Sequence, residues 1–444
     1  MTNVTILHGD CREQLKTLPD NSIDSIVTDP PYELGFMGKS WDASGIAYNV
    51  DMWQEALRVL KPGGHMLAFS GGRTYHRMTV AIEDAGFEIR DQIMWVYGQG
   101  FPKNHDVSKG IDKAAGAERK VLETKTTKSG GMAHIMKTNS EQGYRPNDYY
   151  EDSGNVIEVT EPATDEAKRW SGWGSALKPA HEPICVARKP LEGTIAQNVL
   201  KHGTGALNID ASRVPTDSTV DDPRLGGVGS WKTVKMAQNV YEGGYAGDEI
   251  QSSPLGRWPA NFIHDGSEEV VKLFPNSKAG KDTGERGIGG WWSEGNGVPI
   301  GSQYGDSGSA ARFFYSPKAS PKDRNAGLDD FEGGKTNDGR KVDADNAYQR
   351  GASVRKNTHP TVKPTELMRY LVKMVTPPGG TTLDPFMGSG STGRGAMLGG
   401  FNFIGIEMTD EYIPIATARI KHAQEEYEQE HNAPFNQLFE VDDE

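Results

Sequence analysis

The stretch Asp384-Pro385-Phe386-Met387-Gly388-Ser389-Gly390-Ser391-Thr392-Gly393 decides the fold. The apolar run Thr381 to Leu383 ahead of it reads as a strand, and the residues after it open a helix. Glycines at 388, 390 and 393 let backbone approach a ligand closely, and a helix N-terminus offers unpaired N–H groups. A further strand, Asn402 to Ile406, ends on Glu407, where a carboxylate can accept both hydroxyls of a ribose. This unit predicts a Rossmann-like nucleoside site. By itself it does not separate NAD from S-adenosylmethionine. A phosphate-cradling P-loop is disfavoured, because Arg394 and not a lysine follows Gly393.

The same grammar extends outward. Leu367, Met368, Leu371, Val372 and Val375 share one helical face, which Pro377-Pro378-Gly379-Gly380 ends. At the other end of the chain, Val4 to His8 reads as a short strand, Cys11 to Leu18 as helix-compatible and Ser22 to Thr28 as a second strand. Asp51 to Leu60 carries Met52, Trp53, Ala56, Leu57 and Leu60 at helical spacing. Lys61-Pro62-Gly63-Gly64 is expected to break it before a strand over Met66 to Phe69. Two α/β segments therefore flank a different middle. Asp221 to Ala310 holds 18 glycines in 90 residues, which predicts long loops, while Trp231, Trp258, Trp291 and Trp292 argue against pure disorder. Residues 98–178 are polar, with a helix expected around 108–122. Loops this long in a compact enzyme usually carry recognition.

At 444 residues the chain exceeds one ordinary domain, so two or three folded units are expected. Its two cysteines, Cys11 and Cys185, exclude a disulfide scaffold and a Cys-built zinc site, and they suit a reducing cytosol. Met1 to Cys11 lacks the basic opening of a signal peptide, and no apolar run approaches the roughly 18 residues of a membrane span. A cytoplasmic protein with no membrane partner is expected. The eleven histidines form no HxH or HxxxH pair, so no metal site is expected. A net charge of −13 argues against a chain coated in nucleic acid. The distribution is uneven, however. Glu425 to Glu444 holds eight acids and no Lys or Arg, whereas Phe101 to Ser140 holds eight bases and four acids. A local basic cleft can bind DNA on an acidic protein; a solvated surface accounts for either run equally well.

Asp29-Pro30-Pro31-Tyr32 adds the chemistry. It stands at the carboxyl end of a strand, where open α/β sheets place ligands. An exocyclic amine on a nucleobase is a poor nucleophile, because its lone pair is conjugated into the ring. A carboxylate accepting one N–H and a backbone carbonyl accepting the other push the nitrogen toward tetrahedral geometry. Asp29 and the Pro30 carbonyl can supply that pair, since proline fixes the turn. Tyr32 offers a ring face on which an extruded base stacks.

Together these residues resemble the amino-group DNA methyltransferases. Their order, Asp29-Pro30-Pro31-Tyr32 ahead of Asp384-Pro385-Phe386-x-Gly388-x-Gly390, resembles the β-class, a circular permutation of the methyltransferase fold. The resemblance covers roughly 1–97, 180–190 and 355–420. It implies an α/β fold: a permuted, S-adenosylmethionine-dependent, Rossmann-like sheet with a loop-rich target recognition region. It places the cofactor, S-adenosyl-L-methionine, on Asp384, Phe386, Gly388, Gly390 and Glu407. Asp10, in Gly9-Asp10-Cys11, matches the family's adenine-contacting acid, with Cys11 packing nearby. Lys363, in His359-Pro360-Thr361-x-Lys363-Pro364, falls in the motif just upstream of the family's cofactor helix and is expected on the cofactor side. Asp29, Pro30, Pro31 and Tyr32 become the catalytic residues.

Relatives are excluded by the same residues. Cytosine-C5 enzymes attack with a cysteine that follows proline, but Cys11 follows Asp10 and Cys185 follows Ile184. Protein-glutamine and many ribosomal methyltransferases carry Asn-Pro-Pro-Tyr after the glycine motif; here Asp leads and the order is reversed. Asp in place of Ser tilts the reading toward adenine N6, with cytosine N4 as the alternative. An NAD-dependent oxidoreductase is the remote alternative, and Asp29-Pro30-Pro31-Tyr32 has no role there. A catalytically dead DNA-binding homologue is opposed by the intact Asp29 and Tyr32. The expected divisions are a catalytic half over 1–97, a polar insertion over 98–179 and a late sheet strand over 180–190, opened by His181-Glu182-Pro183-Ile184-Cys185-Val186. A target recognition region over 191–350, a cofactor-binding half over 351–424 and an acidic tail over 425–444 complete them. The expected partner is double-stranded DNA, its target base flipped; a homodimer and a cognate restriction enzyme stay open.

Overall fold

Ile23-Asp24-Ser25-Ile26-Val27-Thr28 is buried at every position, as expected of a central parallel strand covered on both faces. The computed structural model of the chain describes residues 2–35, 40–98, 100, 104–127, 155–215, 256–278, 307–317, 322–336 and 353–437. Contacts divide the chain into one unit of Met1–Gly98, His181–Thr336 and Val354–Glu444, and another of Gln99–Ala180 and Asn337–Ser353.

The first unit is built on an eight-stranded sheet. Its strands are β1 (Val4–His8), β2 (Ile23–Thr28), β3 (Leu60–Phe69), β4 (Glu88–Val96), β5 (His181–Arg188), β6 (Phe262–His264), β7 (Thr381–Asp384) and β8 (Asn402–Glu407). They lie in the order β1-β8-β7-β2-β3-β5-β4-β6. All neighbours are parallel except β5, which runs antiparallel to both β3 and β4. The last two strands of the chain thus sit between its first two. This is the permuted α/β methyltransferase-type sheet expected from motif order.

Alternation along the strands divides the core in two. Val27, Leu67, Phe69, Ile184 and Val186 face α5 (Thr365–Val375), α6 (Ser391–Leu398) and α7 (Ile413–Gln437). Ile26, Met66, Ala68, Cys185 and Ala187 face α1 (Cys11–Gln14), α2 (Val50–Val59) and α3 (Tyr75–Asp84). The Asn49 side chain caps α2 by accepting from Met52 N at 2.8 Å, which fixes the start that the helical spacing left open. The buried Ser25 hydroxyl is paired: its Oγ lies 2.7 Å from Thr376 Oγ1 and 3.0 Å from Thr382 Oγ1, joining β2 to β7.

Three expectations change. Lys61-Pro62-Gly63-Gly64 does not separate a helix from a strand but forms the start of β3. Its unusual backbone is tied down from elsewhere, since α4 (Ile195–His202) brings Asn198, whose Nδ2 donates to Pro62 O at 2.8 Å, and Thr204 Oγ1 donates to the same oxygen at 2.6 Å. Second, the helix expected around 108–122 spans Val107–Ala114 only. Gly116, at φ +62°, turns the chain, and the β-branched run Lys120–Thr127 pairs antiparallel with Asn155–Glu161 inside the second unit. Third, the 190/191 boundary does not mark the end of the sheet, because β6 at its edge comes from within 191–350. Helix α7 likewise runs through 424/425 to Gln437. Trp258 lies 5.2 Å from the Arg213 guanidinium, whereas Trp231, Trp291, Trp292 and the end of the acidic stretch lie outside the described residues.

The approach of α6 to α5 depends on one missing methyl group. A Cβ on Gly395 would lie 2.6 Å from Arg369 N and 2.8 Å from the Met368 carbonyl carbon, both backbone atoms that cannot swing away. Gly395→Val is expected to lower unfolding free energy by about 1–3 kcal/mol through overpacking. Urea denaturation with an unchanged midpoint would show that the helices separate without cost.

Candidate active site

Adjacent parallel strands carry their chemistry to one edge. Asp384 ends β7, Glu407 ends β8, Asp29 follows β2 and Asp10 follows β1, so four acids from distant parts of the chain line the carboxyl edge of the sheet. The turn after β7 is shaped by glycines in the left-handed region, Gly388 at φ +52° and Gly390 at φ +77°. Space is also short: a Cβ on Gly388 would lie 2.9 Å from His359 Nε2. Gly390 then caps α6.

Asp384 lies beneath that turn, 1% exposed. Its Oδ1 accepts from Thr28 Oγ1 at 2.6 Å and Phe386 N at 3.0 Å, and its Oδ2 accepts from Thr392 Oγ1 at 2.6 Å. These bonds hold β2, the turn and α6 together, so Asp384 ties the glycine turn to the strand that carries Asp29. Burial raises its pKa to about 6, against the pull of those three donors. Glu407 is placed differently. Its Oε2 accepts from Gly388 N at 2.8 Å and its Oε1 from Thr409 N at 2.8 Å, which aims the carboxylate along the glycine turn. Phe386 remains half-buried with its ring edge-on to Trp53. Asp10 caps α1 and is bound by Arg12, whose guanidinium holds the carboxyl below its usual range. Cys11 points inward into the core; burial first, and Asp10 second, push its thiol up to about 12, so it offers no thiolate nucleophile.

The second cluster surrounds Asp29. Lys363 Nζ lies 2.7 Å from Asp29 Oδ2, 3.1 Å from Tyr32 OH and 3.3 Å from Glu182 Oε2. Tyr32 OH donates to Glu182 Oε2 at 3.0 Å. Lys363 is 8% exposed and stands 4.9 Å from the Phe69 ring centroid. Burial alone would lower its pKa, but Asp29 and Glu182 outweigh it and hold the ammonium charged. Lys363 thus sits with the expected catalytic residues Asp29 and Tyr32. Tyr32 is kept protonated, by burial first and then by Asp29 and Glu182. The other Asp29 oxygen, Oδ1, is buried and has no hydrogen-bond partner among the described residues. A buried carboxylate oxygen without a donor is costly. Pro30 is buried and Pro31 half-buried, fixing the turn between Asp29 and Tyr32.

Glu182 went unrecognised as a site residue. Its signal was a polar pair, His181-Glu182, ahead of the apolar run Pro183 to Ala187. His359 is the other surprise: its ring stacks toward Trp41 at 6.3 Å and meets Tyr412 edge-on at 4.5 Å, and burial lowers its pKa to about 4, leaving it neutral. The turn is also braced from behind by residues 322–325. Arg419, fully buried, donates to Ser389 O at 2.6 Å and to Asp323 O at 3.3 Å, while Asp323 Oδ2 accepts from Thr365 N at 2.7 Å.

The donor set fits an adenosyl group. Glu407 and Asp10 end neighbouring strands and supply acceptors for ribose hydroxyls and an amino group. Phe386 supplies a partly open ring, and the glycine turn leaves room for close approach.

Comparison with known proteins agrees in kind. A family model described as DNA methylase matches residues 23–418. The type II methyltransferase M.HinfI of Haemophilus influenzae is 39% identical over 110 residues, 20% of this chain and 31% of that protein. The type II methyltransferase M.HindIII of the same species is 24% identical over 247 residues, 46% of this chain and 64% of that protein. The matched stretches thus span less than two thirds of either relative. Among solved structures, the PvuII DNA methyltransferase (cytosine-N4-specific) is 12% identical, with 97% of this chain and 93% of that one covered at a TM-score of 0.40. The M1.HpyAVI–SAM complex is 15% identical, with 94% and 98% covered at a TM-score of 0.36.

Asp384 gives a pH signature. Its folded pKa of about 6 lies above the ordinary 3.8, so the folded state binds that proton more tightly. Its contribution to stability therefore grows as pH falls from about 6 toward 4, by at most about 3 kcal/mol. Asp384→Asn lacks this titration. The difference in melting temperature between the two proteins should shift in favour of the wild type as pH drops from 7 to 5. Parallel melting curves across that range would show that Asp384 does not titrate there.

Proposed function

Because this chain belongs to the DNA methylase family, we propose that it transfers a methyl group to the N6 amino group of a flipped adenine in double-stranded DNA. The unpartnered Oδ1 of Asp29 carries this reading. It is an acceptor held at the carboxyl edge of the sheet, its partner oxygen fixed by Lys363, and it can accept the N–H of a substrate amine. The adenine preference rests on Asp, where a Ser would tilt the reading to cytosine N4.

S-adenosyl-L-methionine is the methyl donor that goes with this family and supplies an electrophilic methyl on a positively charged sulfur. In the proposed assignment Glu407 accepts from its ribose, Asp10 from its adenine amino group, and Phe386 packs against the base. Gly388 and Gly390 leave the space, and Asp384 keeps the turn in place. Asp29 Oδ1 and the Pro30 carbonyl each accept one N–H of the target amine, which localises the nitrogen lone pair for in-line attack. Tyr32 presents its ring to the extruded base, its hydroxyl tethered to Glu182. Positioning and electrostatics carry the rate, since the protein forms no covalent bond. The base must leave the helix because its amine is paired there. Target choice is assigned to residues within 191–350 that do not build the sheet, and a restriction partner would fit such site-specific methylation.

Single-turnover methyl transfer from labelled donor to duplex DNA, followed by digestion to nucleosides, tests the reading. N6-methyladenine is the expected product; N4-methylcytosine would reject the base assignment. Asp29→Ala should cut the rate on the order of 10²–10³-fold while donor affinity by calorimetry is unchanged. Tyr32→Ala should weaken capture of the flipped base by roughly 1–3 kcal/mol. A near wild-type rate for Asp29→Ala would leave the motif as a turn and remove the amine-activation mechanism.

A further inference from the structure

The reaction as derived needs Asp29, but it does not explain why one ammonium faces two carboxylates. Lys363 Nζ is within ion-pair reach of Asp29 Oδ2 at 2.7 Å and of Glu182 Oε2 at 3.3 Å. One carboxylate would neutralise it. The second carboxylate gives Lys363 another counter-ion within reach, one that is not needed while Asp29 stays ionised. Asp29 is the group that can change charge during turnover. When the amine nitrogen uses its lone pair to form the new N–C bond, the C–S bond breaks toward sulfur and the nitrogen holds one proton too many. If Asp29 Oδ1 takes that proton, Lys363 loses its nearer counter-ion. Without Glu182 it would be left as a lone buried ammonium.

Resting on the amine-methylation reading above, we propose that Glu182 and Lys363 are positioning residues forming a charge-exchange pair behind Asp29. Lys363 keeps Asp29 ionised and aimed while the amine attacks, then turns to Glu182 when Asp29 accepts the departing proton. The proton passes to solvent as product leaves, and Lys363 returns. The Tyr32 hydroxyl lies 3.0 Å from Glu182 Oε2 and 3.1 Å from Lys363 Nζ, so it stays bonded to one or the other throughout. Other groups facing the cluster are Tyr97 at the end of β4, His359 from the loop before α5, and Asp384 beneath the turn. Tyr97 is held protonated with its pKa at about 12, and His359 is neutral above about 4. Of these three, Asp384, near 6, titrates in the range that matters.

Two substitutions then act in opposite directions on the acid limb of the single-turnover rate profile. Glu182→Gln keeps the size of the side chain and an acceptor for Tyr32, but gives Lys363 wholly to Asp29. Asp29 becomes a poorer proton acceptor, so the limb should move to lower pH and the plateau rate should fall at least tenfold. Lys363→Met leaves two carboxylates without a cation, so the limb should move to higher pH; Lys363→Arg, which keeps the charge, should move it less. The Asp384→Asn profile identifies the part of the limb that belongs to Asp384. A purely structural role would change rates without moving the limb in opposite senses. The free chain gives an independent readout, because loss of Glu182 removes one of the charges that hold Lys363 protonated. Acylation of Lys363 by an amine-reactive ester at pH 10, followed by mass spectrometry, should be several-fold faster in Glu182→Gln. Opposed shifts together with faster acylation support the pair. Superimposed or same-direction profiles overturn it while the methylation reading stands. Should the wild type transfer no methyl group, the function reading fails, and the acylation rate alone decides the pair: an unchanged rate rejects it.

Discussion

The buried carboxylate of Asp384 is the constraint on which the site depends. Thr28 and Asp384 are 356 positions apart, yet their side chains bond at 2.6 Å. The same carboxylate holds Phe386 N in the turn and Thr392 in the first turn of α6. Burying it raises its pKa to about 6, so near neutral pH the fold keeps a charged group where water cannot reach it. Three donors offset that cost. In return, the strand that carries Asp29 and the strand that carries the glycine turn end at one level, in register Thr382–Ser25 and Leu383–Ile26.

From that junction two chemically different places arise at the same sheet edge. On the β8 side, Glu407 and Asp10 present acceptors next to glycine backbone, which suits a neutral, hydroxyl-rich nucleoside. On the β3 and β5 side, Asp29, Glu182 and Lys363 form a charged cluster against Phe69 and Tyr32. Strand order produces this separation. The parallel strands β8, β7 and β2 deliver their carboxyl ends to one edge, and antiparallel β5 delivers its amino end there, which is why Glu182 is within reach at all. The edge is then stiffened from behind by Arg419 and Asp323, which fix the Ser389 carbonyl and the start of α5.

Much of this was legible in the chain. Strands and helices on either side of the glycine motif follow from apolar periodicity, because one buried stripe or alternating face is enough to specify each of them. Asp29 and Tyr32 could be singled out as candidates because the chemistry they offer is local to a four-residue turn. The start of β3 was not legible: Lys61-Pro62-Gly63-Gly64 has the composition of a breaker, and its backbone groups find partners far along the chain, in Asn198, Thr204 and the backbone of Lys189. The carboxylates that Lys363 meets were not legible either, since motif position says which helix a lysine precedes and not which carboxylate its four-carbon stem reaches.

By itself the sequence determined the α/β class, the permuted order of the motifs and the residue types available for amine chemistry, since these depend on local pattern and on spacing along the chain. Tertiary structure alone decided that Asp384 is an internal tie, that Lys363 neutralises Asp29 and that Glu182 is its second partner. The physical reason is that a charge in a protein takes its role from what surrounds it in space. Burial and partners supplied by strands more than a hundred positions away fix whether a carboxylate is a strut, an acceptor or a counter-ion.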